Sequence, residues 1–220
     1  MNLLSIKKKT AFTLAEVLIT LGIIGVVAAL TLPTLIQNHQ KQVMLTQLKK
    51  AYSVLNQAFK LSEIENGEYE YWELPSGEAE ERHAFAEKYW VPFLNSAKYC
   101  SNYTECGYKE EYPWNNLDGS RKNDYGISEN GANYILPDGT YLRFSSGGVL
   151  IDLNSSKNPN IYGKDVFAFD YDKIGIKAIC LSMNTQQILE RCSNSTKDGA
   201  CCSARIINLD SWQIADDYPW

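Results

Sequence analysis

The chain reads Lys7-Lys8-Lys9-Thr10-Ala11-Phe12-Thr13-Leu14-Ala15-Glu16 before an apolar run that ends at Leu32-Pro33, and this stretch decides the fold. From Phe12 to Ile36, Glu16 is the only ionisable side chain. A helix of that length, rising about 1.5 Å per residue, crosses the roughly 30 Å hydrocarbon core of a bilayer. A carboxylate inside such a segment is costly in lipid and indicates a partner or a function.

Three interpretations fit parts of this segment. A secretory signal peptide needs a shorter apolar region followed by a small-residue cleavage site, and the sequence has neither feature. A plain membrane anchor fits the length, with the lysines holding the N-terminus in the cytoplasm, but leaves Glu16 unexplained. A basic leader cut between Ala11 and Phe12 accounts for Glu16, which then lies four residues beyond a new N-terminus.

The run from Ala11 to Ile19 resembles the start of type IV pilins and type II secretion pseudopilins, whose precursors carry a basic leader, a small residue, Phe-Thr-Leu-x-Glu and a long apolar stretch. The resemblance implies cleavage between Ala11 and Phe12 by a prepilin peptidase, N-methylation of Phe12, and packing of the apolar helices into a filament core. One departure is Ala11, where the family usually has glycine. Because alanine is also small, we expect cleavage at an equal or slower rate.

The resemblance also gives Glu16 a role in assembly. Cleavage creates a positive amine at Phe12, and Glu16 of a neighbouring subunit can neutralise it in an apolar core, where an unpaired charge is expensive. In a lone subunit we expect neither charge to be well satisfied. Assembly would therefore supply each charge with a partner.

Pro33 either kinks the helix or ends it, because proline removes one backbone hydrogen bond and clashes with the preceding turn. Beyond Pro33, mostly apolar and small residues recur at alternating spacings of four and three, as on one face of a helix. This pattern favours a kink at Pro33 within one continuous helix from about Phe12 to Ile64. Asn66-Gly67 is a typical C-terminal stop. The stripe comprises Met44, Leu48, Ala51, Leu55, Ala58 and Ser62, with Phe59 and Leu61 widening it.

These features divide the chain into a cleaved leader over 1–11, a transmembrane and filament-core helix over 12–36, an amphipathic continuation over 37–66, and a globular exported domain over 67–220. The lysines predict a single pass through the bacterial inner membrane, with a cytoplasmic N-terminus. Three of the 21 Lys and Arg residues lie in the leader, against 26 Asp and Glu in the whole chain, so the mature chain is acidic. Nucleic acid is therefore not a predicted partner.

The exported domain is predicted to be α and then β. A short helix opens with Ser76 as N-cap and closes near Trp90, and residues 99–131 form a long loop. Strands follow over 133–136, 140–144, 149–153 and 166–169, with short turns typical of an antiparallel meander. We therefore expect an α+β, pilin-like fold in which the long N-terminal helix packs on a small antiparallel sheet.

Six cysteines in an exported domain indicate disulfides and an oxidising compartment. They allow 15 pairings, of which we predict Cys100 with Cys106 and two bridges among the other four. A bond between neighbouring residues would be strained, so Cys201 and Cys202 each reach Cys180 or Cys192. In line with this, many pilins close a C-terminal loop with a disulfide.

Oxygen-rich side chains over 152–165 suggest calcium, with Asp152, Asn154 and Asp165 as candidate ligands. Against this, the run lacks the glycine at position six and the glutamate at position twelve of an EF-hand loop. Turn chemistry explains the same residues. We therefore predict no firm metal site and no other cofactor.

His39 and His83 belong to no catalytic or metal-binding motif, so we predict a protein that is not an enzyme. The main hypothesis is a structural subunit, minor or specialised, of a type II secretion pseudopilus or type IV pilus-like filament in the periplasm or at the surface. Its partners would be the prepilin peptidase, other pilin or pseudopilin subunits and the inner-membrane assembly platform. The alternatives are a pilin-like surface or tip binding module whose Tyr and Trp residues touch sugars, and a membrane-anchored exported domain with no filament role.

Overall fold

The structure is a computed structural model and describes residues 13–109, 113–121, 132–193 and 198–220. Its longest element is α1, which runs from Leu14 to Asn66 and contains Pro33. Gly67 follows it with a φ of +85°, the left-handed conformation that commonly ends a helix. The chain divides into two compact units, Met1–Gln42 and Val43–Trp220, and the boundary falls inside α1.

The part of α1 in the second unit buries one face against the globular domain that follows it. All six residues of the predicted stripe are buried, as is Phe59. Leu61 was expected to widen the stripe, but it is 49% exposed, and Leu45 is buried at the other edge. The reason is geometric, since Leu61 is rotated about 100° from Ser62 and points away from the domain.

Helix α2 spans Ala79–Tyr89 and buries Phe85, Ala86 and Tyr89. The prediction that Ser76 caps this helix is wrong, because Glu78 occupies the N-cap position. Gly77, with a φ of +134°, separates Ser76 from the helical path. The backbone N–H of Ser76 instead donates to the Glu81 carboxylate at 2.7 Å, which ties the preceding loop to the helix.

The sheet is a six-stranded antiparallel meander in which every strand pairs with the next along the chain. The predicted α+β fold, a long helix packed on a small antiparallel sheet, is confirmed. The four predicted strands correspond to β2–β5, whereas β1 and β6 were not predicted. The strands are β1 Lys98–Cys100, β2 Ala132–Ile135, β3 Tyr141–Phe144, β4 Gly148–Asp152, β5 Val166–Asp172 and β6 Gly175–Ala178.

Both faces of the central strands are covered. One face, which includes Leu142, Phe144 and Ile151, packs in the same core as α1 and α2. The alternate residues, such as Tyr141 and Leu150, form a second core with aromatic side chains of the loop that follows β1. The long polar loop of the prediction therefore folds over the sheet in the parts that are described, while residues 110–112 and 122–131 lie outside the described residues.

Three disulfides join the six cysteines: Cys100 with Cys106, Cys180 with Cys201, and Cys192 with Cys202. The last two interlock in sequence and hold the segment between β6 and the chain end. That segment contains α3 (Thr185–Arg191), α4 (Cys202–Ala204) and a π-helical turn over Arg205–Leu209. None of these helices was predicted.

The C-terminal tail is fixed by Arg205, whose side chain is 2% exposed. Its guanidinium donates to the Cys192 carbonyl at 3.0 Å and pairs with Asp210 and Asp217. The Tyr218 ring lies against the guanidinium, with 5.4 Å from the Arg205 Cζ to the ring centroid. A buried charge therefore has several partners here, which is the condition under which it is tolerated.

Candidate functional site

The first turn of α1 holds Glu16 in a capping box. The Glu16 carboxylate accepts from the backbone N–H of Thr13 at 2.8 Å and from its hydroxyl at 2.9 Å. The backbone N–H of Glu16 donates back to the Thr13 hydroxyl at 3.2 Å. This reciprocal pairing satisfies the free backbone donors at a helix start. Ala11 and Phe12, the predicted cleavage and methylation site, lie outside the described residues.

The box corrects one expectation about the lone subunit. Glu16 was expected to be poorly satisfied before assembly, yet it has two donors from Thr13 within its own chain. The reason is the spacing of three residues, which places the carboxylate over the N-terminal turn. Glu16 is therefore held at the tip of the helix by contacts within its own chain.

Beyond the box, the apolar half of α1 presents its side chains outward. Large side chains from Leu14 to Ile36 are exposed, Leu14 by 77% and Leu30 by 72%. The helix is long and apolar enough to cross a membrane, and its most apolar 18-residue window has no residue buried within the structure. Since contiguous exposed apolar surface requires a cover, this half of α1 is suited to lipid or to other helices.

Polar groups within this half are satisfied internally. The hydroxyl of Thr20 donates to the carbonyls of Glu16 and Val17, both at 2.9 Å. Thr31 donates to the Val27 carbonyl at 2.9 Å, and Thr34 donates to the Thr31 carbonyl at 2.8 Å. Such bonds allow threonine in a membrane helix and tend to bend it. Two of these threonines flank Pro33, which itself has no N–H to donate.

The calcium candidates Asp152 and Asp165 are occupied by protein donors. Asp152 is fully buried and accepts from the Tyr108 hydroxyl at 2.7 Å and the Trp114 indole N–H at 3.0 Å. Burial, reinforced by the nearby Asp165 carboxylate, raises the pKa of the Asp152 carboxyl well above its usual range. The buried Asp152 thus connects β4 to the aromatic loop over the second face of the sheet.

Asp165 closes the turn before β5. It accepts from the backbone N–H groups of Asn160 at 2.8 Å and Ile161 at 2.7 Å, and from the Asn154 amide at 3.2 Å. Burial raises the pKa of Asp165 to about 6. Within the described ranges, no group of three or more His, Cys, Asp and Glu side chains is placed to hold a metal ion.

A polar cluster that the sequence did not reveal lies between α2 and the sheet. The His83 Nδ1 is 2.9 Å from the Tyr134 hydroxyl, which donates to Glu87 at 2.9 Å. The His83 ring also packs on Tyr99, with ring centroids 4.0 Å apart. These residues come from α2, β1 and β2, so only the folded chain brings them together. The cluster attaches α2 to the first edge of the sheet.

A sequence motif at the start of the chain shows the class of protein to which it belongs. Residues 6–32 match the prokaryotic N-terminal methylation motif, the hallmark of the prepilin-type signal of type IV pilins and pseudopilins. The motif coincides with the capping box and the exposed apolar half of α1, so the chain is a type IV pilin-like precursor.

The family is given by a second match, over residues 34–179, about two thirds of the chain. This match is to a family of unknown function (DUF6613), and the chain belongs to it. No curated protein and no solved structure matches the chain.

Proposed function

We propose that the protein is a minor or specialised subunit of a type IV pilus-like or type II secretion filament, assembled through α1. The observation that carries the proposal is the methylation motif followed by an exposed apolar helix whose single carboxylate, Glu16, sits at the tip. The same motif supports processing by a prepilin peptidase and assembly with other pilin-like subunits.

In this proposal the helix first anchors the precursor in the inner membrane, with the leader in the cytoplasm and the domain exported. Cleavage before Phe12 leaves a positively charged amine at the new N-terminus. During assembly, Glu16 of one subunit gives up part of its pairing with Thr13 and accepts from the Phe12 amine of a neighbour. The exchange replaces one hydrogen-bond donor to the Glu16 carboxylate by another, so the carboxylate keeps a partner throughout.

Mass spectrometry of the mature N-terminus tests the proposal. The protein is purified from membranes of a bacterium that expresses a prepilin peptidase, and from a matched strain that lacks the peptidase. We expect N-methyl-Phe12 as the first residue in the former and an uncut leader in the latter. An uncut leader in both strains would refute processing.

The filament role needs a separate readout. Sheared surface fractions and periplasmic fractions are probed for the full chain in strains with and without the assembly ATPase. We expect the chain in a high-molecular-mass fraction only when the ATPase is present. A processed chain that stays wholly in the inner membrane under both conditions would support an anchored domain without a filament role.

A further inference from the structure

The three disulfides differ in how far a thiol can approach them. Five of the six cysteines are at most 3% exposed, whereas Cys180 is half-buried. Thiol–disulfide exchange requires direct attack by a thiolate on a sulfur, so its rate depends on access to that sulfur. Cys180–Cys201 is therefore the one disulfide of the three that includes a cysteine that is not fully buried.

The backbone at Cys180 favours opening of the same bond. Cys180 has a φ of +70°, a left-handed conformation that residues with a side chain seldom adopt. It lies two residues after β6, in a turn closed by the Met183 N–H, which donates to the Cys180 carbonyl at 3.0 Å. Cleavage of the disulfide would allow this residue to relax, and the turn with it.

The bond holds a small satellite core together. This core contains Ala178, Ile188, Cys201 and Ala204, with Met183 packed against it. This core has fewer buried residues than either of the two cores on the sheet, so the disulfide contributes a large part of its stability. The other end of α3 has its own ties, namely the Cys192–Cys202 disulfide and the Arg205 bond to the Cys192 carbonyl. Opening would therefore stay local to residues 179–191.

We propose that Cys180–Cys201 is a thiol–disulfide exchange site, at which a dithiol reductant opens the segment between β6 and α3. The reductant thiolate attacks the Cys180 sulfur, the Cys180–Cys201 bond breaks, and Cys201 leaves as a thiolate that takes a proton from water. The second thiol of the reductant then displaces Cys180 from the mixed disulfide. The protein gains two electrons, and the reductant becomes a disulfide. Opening exposes Met183 and Ile188 of the small core.

Graded reduction of the full chain in detergent micelles tests this site. Samples are treated with increasing dithiothreitol at neutral pH, alkylated with iodoacetamide and mapped by peptide mass spectrometry. We expect Cys180 and Cys201 to be labelled together and at least about tenfold faster than the other four, the ratio that corresponds to about 1.4 kcal/mol in activation free energy. Earlier labelling of Cys100 and Cys106, or equal labelling of all six, would overturn the proposal.

Limited trypsin digestion reads out the structural consequence. Arg191 lies at the end of α3, with its side chain 50% exposed. In the sample reduced only at Cys180 and Cys201, we expect cleavage after Arg191 at least about tenfold faster than in the oxidised sample, because cleavage requires local unfolding. Unchanged cleavage would show that the segment stays closed without the bond.

Two double variants distinguish local opening at Cys180–Cys201 from destabilisation of the whole domain. Cys180→Ala/Cys201→Ala removes the accessible bond, and Cys192→Ala/Cys202→Ala removes its buried neighbour. We expect the first variant to be cleaved after Arg191 without any reductant while the sheet melts cooperatively. Slow cleavage of a folded first variant would contradict the proposal, and the wild-type labelling order decides it if the variant does not fold.

Discussion

The capping box makes the role of Glu16 separable from the stability of the helix. Three variants distinguish the contributions. Thr13→Ala removes the Thr13 hydroxyl and leaves the Glu16 carboxylate. Glu16→Gln keeps an acceptor for the Thr13 N–H but removes the negative charge. Glu16→Ala removes the acceptor and the charge together. In the structure all contacts of the box lie within one chain, so those that Glu16 keeps after assembly cancel in the assembly equilibrium.

The charge does not cancel in this way. In an apolar filament core, an amine left without its carboxylate is an unpaired buried ion, and breaking such a pair is strongly unfavourable. We therefore expect Glu16→Gln and Glu16→Ala each to reduce assembled subunits on the order of 100-fold. Thr13→Ala should reduce them by no more than a few-fold, because a lost cap costs about 1 kcal/mol of helix stability in both states.

The assay compares sheared filaments with total membranes by immunoblot, and mass spectrometry of Phe12 confirms that each variant is cleaved and methylated. Processing must be equal to wild type for the comparison to hold. If Glu16→Gln assembles as well as wild type, the charge pairing is refuted and the box alone explains Glu16. If Thr13→Ala fails as severely as Glu16→Ala, the box is needed for assembly itself.

Three further predictions concern the globular domain and are read by thermal melting of the full chain in detergent. A Cβ on Gly148 would lie 2.6 Å from the Phe169 carbonyl oxygen, so Gly148→Ala should cost about 1 to 3 kcal/mol, whereas Gly147→Ala, with no heavy atom within 4 Å of its Cβ, should melt close to wild type. Equal melting temperatures for the two would contradict the close approach of β4 and β5. Because burial raises the pKa of Asp165 to about 6, the native state binds the proton more tightly than the unfolded state. The contribution of Asp165 to stability should therefore fall by up to about 3 kcal/mol as pH rises from about 4 to above 6, and Asp165→Asn should lack that change. An identical pH dependence in the variant would refute the assignment. Calcium and a chelator should give the same melting temperature, since Asp152 and Asp165 accept from N–H and O–H groups, and a clear rise with calcium would contradict this.

The elements that the sequence predicted well are those with a clear period. Alternating spacings of three and four placed the buried stripe of α1, and short turns between β-rich runs placed β2 to β5. Two single residues were predicted wrongly. Leu61 points away from the domain because of its angle around the helix axis, and Ser76 does not cap α2 because Gly77 turns the backbone between them. Local patterns thus define an element more reliably than its edge.

The elements that were missed depend on contacts distant in sequence. Strand β1 has three residues and exists because it pairs with β2, which lies across a long loop. The C-terminal helices are held by interlocked disulfides and by Arg205, none of which has a periodic pattern. The partners of Asp152 likewise come from residues 38 and 44 positions away. Composition indicated disulfides and a polar loop but could not say what they enclose.

The aromatic residues weigh against one of the alternative functions. The content of Tyr and Trp suggested a surface that could touch sugars, which was the reason to consider a surface or tip binding module. In the structure none of the five tryptophans is exposed, and Trp72, Trp90 and Trp114 are buried in the two cores of the sheet.

Trp212 packs against Tyr52 of α1, with ring centroids 5.2 Å apart, so even the aromatic side chain near the chain end helps to attach the domain to its helix. Among the described tyrosines, only Tyr71 and Tyr99 are exposed. The aromatic residues therefore pack mainly inside the domain, and some of them, including Trp72 and Trp212, attach it to Phe59 and Tyr52 in the second half of α1. If α1 holds the subunit in a filament, the position of the domain in that filament depends on how firmly the domain packs on α1.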